Sequence, residues 1–267
     1  MEIAGYTAAL FIGVSLGMVG GGGSILTVPA LVYLLHVDPV LATTYSLFIV
    51  GVTSLAGSVR AYTKKLVDFK AVTEFGIPSI FSVFITRHFI LPALPSQLFT
   101  IGNVQVTKNI FLMVVFAVLM LTASVIMIKN HRDDYKEGVE KVQHEKILPL
   151  TLLGLSIGVI TGLLGAGGGF LIIPSLVLFI KLPMKTAVGT SLVIIAINSL
   201  FGFLFSLKQF EYDWQLLIWF TVIAIAGILI GNKLAEKISG SILKKVFGWL
   251  VLVMGIYIII KELFLKQ

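Results

Sequence analysis

Apolar residues run along this chain in long blocks, at about 3–35, 40–62, 71–91, 110–128, 147–180, 185–207, 214–232 and 243–260. Uncharged apolar blocks of about 18 or more residues predict helices that cross a bilayer, whose hydrocarbon core is about 30 Å thick. Two blocks exceed one crossing: residues 3–35 as unbroken helix would reach about 50 Å. A glycine run interrupts each of them, Gly20-Gly21-Gly22-Gly23 in the first and Gly165-Ala166-Gly167-Gly168-Gly169 in the second. Successive glycines cost about 1 kcal/mol each inside a helix and turn easily. Each long block therefore predicts two short helices meeting at a glycine turn, with 24–35 reaching only halfway across. The polar stretch from Lys129 to Lys146, with five basic and five acidic residues, cannot lie in hydrocarbon. It divides the chain into a first membrane repeat at 1–128, a charged linker at 129–146 and a second membrane repeat at 147–267.

The halves repeat each other at a constant offset of 145. Gly13, Gly17, Gly20, Gly22, Gly23, Pro29, Ser46, Ser54, Gly57 and Asp68 map onto Gly158, Gly162, Gly165, Gly167, Gly168, Pro174, Ser191, Ser199, Gly202 and Asp213. Positions 13–69 hold 18 such identities without a gap. The pattern is that of a duplication.

Lys and Arg counts choose between topologies. If each glycine segment enters and returns on one side, the loops at 60–70, 129–146, 181–185 and 233–245 share a face with 15 basic residues, leaving 5 opposite. If each segment crosses once, the division is 12 to 8. Basic residues collect in cytoplasmic loops, so the first arrangement is preferred. Three crossings after each hairpin, an odd number, invert one repeat relative to the other and place both termini outside the cytoplasm. Two full crossings per glycine segment give the same parity. The fold expected is an all-α polytopic membrane protein of two homologous inverted repeats, each a glycine-broken helical hairpin followed by three transmembrane helices.

Composition agrees. Of 267 residues, 57% are apolar and 12% charged, half the charge of a soluble domain. The net charge of +7 is explained by cytoplasmic loops rather than by nucleic acid. Cys is absent, which excludes disulfides and thiolate metal sites. Met1-Glu2-Ile3 lacks a basic stretch, so no cleaved signal peptide is expected. His36, His88, His131 and His144 are scattered, no metal or cofactor site is suggested, and no P-loop or ATPase subunit is indicated.

The glycine turns point toward an anion. A helix that starts inside the membrane presents unpaired N–H groups and the positive end of its dipole, and glycine leaves those groups open to an oxyanion. Helices starting at Ser24 and Gly169 would aim these ends at the midplane, with Gly21, Gly22, Gly23, Ser24, Gly167, Gly168 and Gly169 as backbone donors. Ser46, Ser191, Thr53 and Asn198, with the pair Ser54 and Ser199, could complete the cradle from the next helix. The competing readings are that the glycines serve close helix packing and that the hydroxyls bond back to their own helices. Glu74 is either an ion-pair partner of Lys70 or a carboxyl that carries a coupling proton. Arg87 either snorkels to the interface or steers an incoming anion. Asp38, Asp68 and Asp213 read as helix N-caps.

The stretch Gly158-Val-Ile-Thr-Gly-Leu-Leu-Gly-Ala-Gly-Gly-Gly-Phe-Leu-Ile-Ile-Pro174, then Leu182-Pro-Met-Lys-Thr-Ala-Val-Gly-Thr-Ser191 and Asn198-Ser199, resembles the sulfite exporter TauE/SafE family. The first-half copy Gly17-Met-Val-Gly-Gly-Gly-Gly-Ser-Ile-Leu-Thr-Val-Pro29 is similar to that family's weaker N-terminal version. The resemblance implies a multi-pass inner-membrane protein that moves small anions such as sulfite, thiosulfate or sulfoacetate. The first half departs from the second, with Thr43-Thr44-Tyr45 where Val188-Gly189-Thr190 stands. The function expected is secondary transport of small sulfur oxyanions or organosulfonates, bound between the glycine-broken helices at the midplane. A passive anion channel is the alternative. An intramembrane enzyme is disfavoured, since no nucleophile or metal constellation is present. The sequence leaves oligomeric state and coupling ion open.

Overall fold

The computed structural model describes residues 2–101, 104–129, 147–165, 167–234 and 240–262. All of the charged linker beyond Lys129 lies outside them. The first half runs through α1 (Glu2–Val19), a 3-10 turn (Gly20–Leu26), α2 (Thr27–Leu34), α3 (Pro39–Thr63) and α4 (Phe69–Ile85). A π-helical turn (Thr86–Ile90), a short α5 (Leu91–Ala93) and a hairpin of β1 (Gln97–Ile101) and β2 (Val104–Thr107) lead into α6 (Lys108–Lys129). The second half comprises α7 (Ile147–Leu164), α8 (Gly169–Phe179), α9 (Met184–Ser206), α10 (Trp214–Leu234) and α11 (Gly240–Ile260).

The protein is thus an all-α polytopic membrane protein. Among the described residues, five helical segments are long and apolar enough to cross a membrane: Pro39–Thr63, Phe69–Ala93, Lys108–Val125, Met184–Ser206 and Trp214–Leu234. Val59, Ile77, Phe81, Trp219 and Val253 project outward on these and neighbouring helices, a surface suited to lipid and unsuited to water. The antiparallel β1–β2 hairpin was not among the sequence expectations. Its signal is the alternation Val104-Gln105-Val106-Thr107, too short to stand out beside the membrane blocks.

Aspartates begin the helices as their positions lead one to expect. The Asp38 carboxylate accepts from the Val40 and Leu41 N–H groups at 2.9 and 3.3 Å. Asp68 accepts from Ala71 N–H at 2.9 Å and Asp213 from Leu216 N–H at 3.0 Å. Each cap satisfies donors that the helix leaves orphaned.

Both glycine segments fold back. A Cβ added to Gly23 would stand 2.5 Å from Leu16 N and 2.9 Å from Ile12 O, so the chain after the turn lies against α1. Leu35 reaches Gly5, which brings the end of α2 level with the start of α1. In the second half Gly168 meets Thr161 and Ile157 at the same offset.

Contacts between the halves are reciprocal. The Asp213 N–H donates to Tyr45 Oη at 2.7 Å, and the Asp68 N–H donates to Thr190 Oγ1 at 2.9 Å. These two bonds exchange under the 145-residue offset. Gly13 of α1 packs on Ala224 of α10, and Gly158 of α7 packs on Ser79 of α4. Gly57 of α3 meets Leu192 and Ile228, and Gly202 of α9 meets Leu47 and Val83. In each case residue i of one half meets j of the other, and the equivalent of j meets the equivalent of i. The contacts Leu47–Gly202, Gly51–Leu200 and Gly57–Leu192 run in opposite senses along the chain, so the equivalent helices α3 and α9 pack antiparallel.

Candidate functional site

At the centre the two glycine turns touch. A Cβ on Gly21 would lie 2.3 Å from Gly169 Cα, and one on Gly169 would lie 2.3 Å from Gly21 Cα. Backbone meets backbone there, with the Ile195 side chain beside both. Only residues without a side chain allow this approach. The turns differ in shape. Gly165, Gly167 and Gly168 all take positive φ, at 70°, 65° and 67°, and α8 starts at Gly169 as expected. The first-half run instead forms a 3-10 turn, so α2 starts at Thr27 rather than at Ser24. No side chain caps either helix.

Positive φ makes Gly168 a poor position for testing an anion cradle. Any side chain is strained at 67°, and a Cβ would stand 2.4 Å from Thr161 Oγ1. Loss of binding in a Gly168→Val variant would therefore report on folding as much as on the anion.

The polar residues divide into two groups. Ser24 Oγ donates to Gly21 O at 2.7 Å, Thr53 Oγ1 to Ile49 O at 2.6 Å and Ser191 Oγ to Val188 O at 2.8 Å. These three bond back to nearby backbone, the competing reading for the hydroxyls. Ser46, Ser54 and Ser199 are buried, and their hydroxyls have no hydrogen-bond partner. Thr27, Thr86 and Thr161 share that state. Ser199 Oγ would lie 3.0 Å from a Cβ on Gly167, so this free hydroxyl borders the second turn. Asn198 donates from Nδ2 to Ser79 Oγ at 2.7 Å while its Oδ1 is unpartnered. A buried hydroxyl left unpaired costs about 1–3 kcal/mol. The membrane interior of this protein thus carries a set of groups whose bonding is incomplete. Gly22 is placed within the 3-10 turn.

Glu74 pairs with Lys70 one helical turn earlier, Nζ to Oε1 at 3.8 Å. Arg87 does not snorkel. Its side chain is fully buried, with Nη1 donating to Thr44 Oγ1 at 3.0 Å and Nη2 to Thr43 Oγ1 at 3.1 Å. The π turn Thr86–Ile90 lies beside α7 and α9, and its Arg87 side chain is held by the two threonines of α3 instead of reaching outward. Tyr212, in the segment joining α9 to α10, donates to Ser206 O at 2.7 Å. Burial pushes its phenol up to about 12, against the opposing pull of Arg87, so it stays protonated at neutral pH.

Beside Arg87 an open cavity of about 330 Å³ is lined by Val40, Leu91, Pro92, Lys108, Gln209 and Phe210. Gln209 Nε2 donates to the Arg87 carbonyl at 3.2 Å, and Lys108 Nζ donates to the Leu91 carbonyl. Sequence reasoning singled out neither Lys108 nor Gln209. The usable signal was the Thr43-Thr44 departure from Val188-Gly189 together with an arginine in an apolar block.

Comparison with known proteins agrees with this architecture. The family model described as sulfite exporter TauE/SafE matches residues 6–258. A probable membrane transporter protein of Xylella fastidiosa (strain Temecula1) is 29% identical over 258 residues, covering 93% of this chain and 91% of its own. Similar proteins, also named probable membrane transporters, occur in Methanocaldococcus jannaschii, at 27% identity over 93% of this chain and 92% of the relative, and in Bacillus subtilis, at 27% over 91% and 89%. No solved structure matches the chain significantly.

Proposed function

The chain belongs to the sulfite exporter TauE/SafE family and is a multi-pass membrane transporter, and from that premise we propose that it is a secondary transporter of small anions, sulfur oxyanions or organosulfonates. The observation that carries this reading is the meeting of the two glycine turns, Gly21 against Gly169, beside buried hydroxyls that lack partners. Oxyanion oxygens accept what such O–H groups and the uncapped first N–H groups of α8 offer, and charge-assisted bonds of about 1.5–3 kcal/mol each offset the anion's desolvation. Donors without fixed charge also let the anion go. The turns are in contact, so the anion gains the cradle when the hairpins separate and leaves it when they close. Discontinuous helices in repeats related by a two-fold axis are a recurring basis for alternating access. The charge division of 15 to 5 and the antiparallel α3–α9 pair support inverted repeats with both termini outside the cytoplasm of an inner membrane.

The test is uptake into proteoliposomes of sulfite, thiosulfate and sulfoacetate, with succinate and chloride as controls. Accumulation against a gradient, driven by an imposed proton or sodium gradient, is expected for at least one sulfur anion. Equilibration without accumulation would assign a passive channel. No movement of any of them would overturn the anion reading.

Coupling has its own test. The Glu74–Lys70 pair accounts for Glu74 without a transport role, so Glu74→Gln is expected to leave sulfite binding unchanged in calorimetry. If Glu74 also carries the coupling proton, proton-driven uptake falls to the background level in this variant. Unchanged proton-driven uptake confines Glu74 to the ion pair.

A further inference from the structure

Arg87 is a charge that the fold encloses without neutralising. A guanidinium stays protonated and carries five N–H donors. Two go to the hydroxyls of Thr43 and Thr44, and Nε has no partner. Thr43 donates its own proton to Val40 O at 2.7 Å, which turns its lone pairs to the guanidinium. The threonines thus aim the arginine but bring it no negative charge. No carboxylate among the described residues pairs with it. A buried cation without a counter-ion is costly, and inside a membrane protein such a residue marks an ion path.

Its surroundings indicate which path. Arg87 sits on a π-helical turn, a distortion frequent at functional sites. Thr43 touches the first residue of the second glycine turn: a Cβ on Gly165 would stand 2.1 Å from Thr43 O. On the other side lies the 330 Å³ cavity, whose wall residue Gln209 bonds the Arg87 carbonyl and whose Val40 bonds Thr43. Lys108 puts a cation on the wall of that cavity, its Nζ donating to the Leu91 carbonyl. Between bulk water and the glycine turns, then, stand an open cavity with a lysine and a buried arginine with free donors. At the same offset the second half holds Val188 and Gly189 in place of the threonines, so this arrangement occurs in the first half alone.

We propose that Arg87, aimed by Thr43 and Thr44, is a binding site for a small oxyanion, entered from the Lys108 cavity and adjoining the second glycine turn. The ligand class is an anion with two or more oxygens on one centre, which the planar fork of a guanidinium grips bidentately, as in sulfite or a sulfonate head. A halide cannot bridge the fork. The proposal rests on the anion-transport reading and adds to it a single charged station on one side of the fold.

The experiment is calorimetric binding of sulfite, sulfoacetate, succinate and chloride to the purified full-length protein, comparing wild type with Arg87→Met, Arg87→Lys and Lys108→Gln. Methionine replaces a buried charge by a side chain of similar reach, a change cores tolerate. Arg87→Met is expected to weaken sulfite binding about 100-fold or more, the loss of two charge-assisted bonds. Arg87→Lys should keep the charge, lose about tenfold in affinity and bind sulfite no better than chloride. Lys108→Gln should slow association and flatten its salt dependence. A purely structural arginine would not move the sulfite-to-chloride preference. If succinate binds as tightly as sulfoacetate, through the same arginine, the site is one for oxyanions in general, which supports the proposal. If wild type binds sulfite and both Arg87 variants bind it within about twofold of wild type, the Arg87 site is overturned while anion transport stands. If wild type binds none of the four, both fall. Should Arg87→Met not fold, the preference of Arg87→Lys decides.

Discussion

Gly21→Ala is expected to cut sulfite uptake in proteoliposomes by about 10- to 100-fold while the protein still folds. A single methyl group produces this because of where it would stand: 2.3 Å from Gly169 Cα and 2.6 Å from Gly169 C. Backbone cannot swing aside as the tip of a leucine can, so the two turns must separate. Overpacking of this kind costs about 1–3 kcal/mol, and that cost falls on any state in which the turns touch. A state disfavoured by 1.4 kcal/mol is populated about tenfold less. If closure of the two turns is a step in the cycle, turnover falls accordingly, whereas the affinity of the separated state for anion changes little. Gly76→Ala is the control. A Cβ there meets nothing within 4 Å, so transport should match wild type and stability should rise by about 0.5–1 kcal/mol from helix propensity. Wild-type uptake by Gly21→Ala would show that the glycine contact takes no part in the cycle.

A labelling pattern in intact cells is the second large effect, and it is all-or-none. The chain lacks cysteine, so a single introduced thiol reports its own side of the membrane. Lys185 and Lys208 are exposed residues at opposite ends of α9. Under the inverted arrangement, a cysteine at Lys208 should react with an impermeant maleimide, while cysteines at Lys185 and Glu137 should react only after the cells are opened. The physical basis is the positive-inside rule, with 15 of the 20 basic residues in loops on one face. Reaction at Lys185 and Glu137 with protection at Lys208 would reverse the orientation. Reaction at both Lys185 and Lys208 in intact cells would mean that α9 does not span.

Much of the architecture was legible before any coordinates. The helical blocks followed from hydropathy alone, since a bilayer demands long uncharged helices with every backbone group bonded internally. Helix starts at Asp38, Asp68 and Asp213 were legible because capping is local chemistry between a side chain and donors two or three residues on. The turning of the chain at Gly20–Gly23 and Gly165–Gly169 was legible from length, as neither block could be one helix. The 3-10 form of the first turn was not. Four glycines permit several turn shapes, and packing of Gly23 on α1 selects among them.

What the sequence determined by itself, then, was the placement of the long apolar helices, the duplication and the family. Each rests on local pattern or on identity at a fixed offset. Tertiary structure alone decided which residues of one half face which of the other: Gly21 on Gly169, Asp213 on Tyr45, Asp68 on Thr190. It alone decided that Ser46, Ser54 and Ser199 are left unpaired while Thr53 and Ser191 bond back, because the rotamer that points a hydroxyl at its own i−3 or i−4 carbonyl is chosen by packing against neighbouring helices. Arg87 makes the difference plainest. Its position near a helix end suggested a side chain reaching for the interface, and hydropathy has no means of saying otherwise. Enclosure is set by the neighbours that a π turn presents to it and by two threonines more than 40 residues away in the chain, contacts that no local pattern encodes.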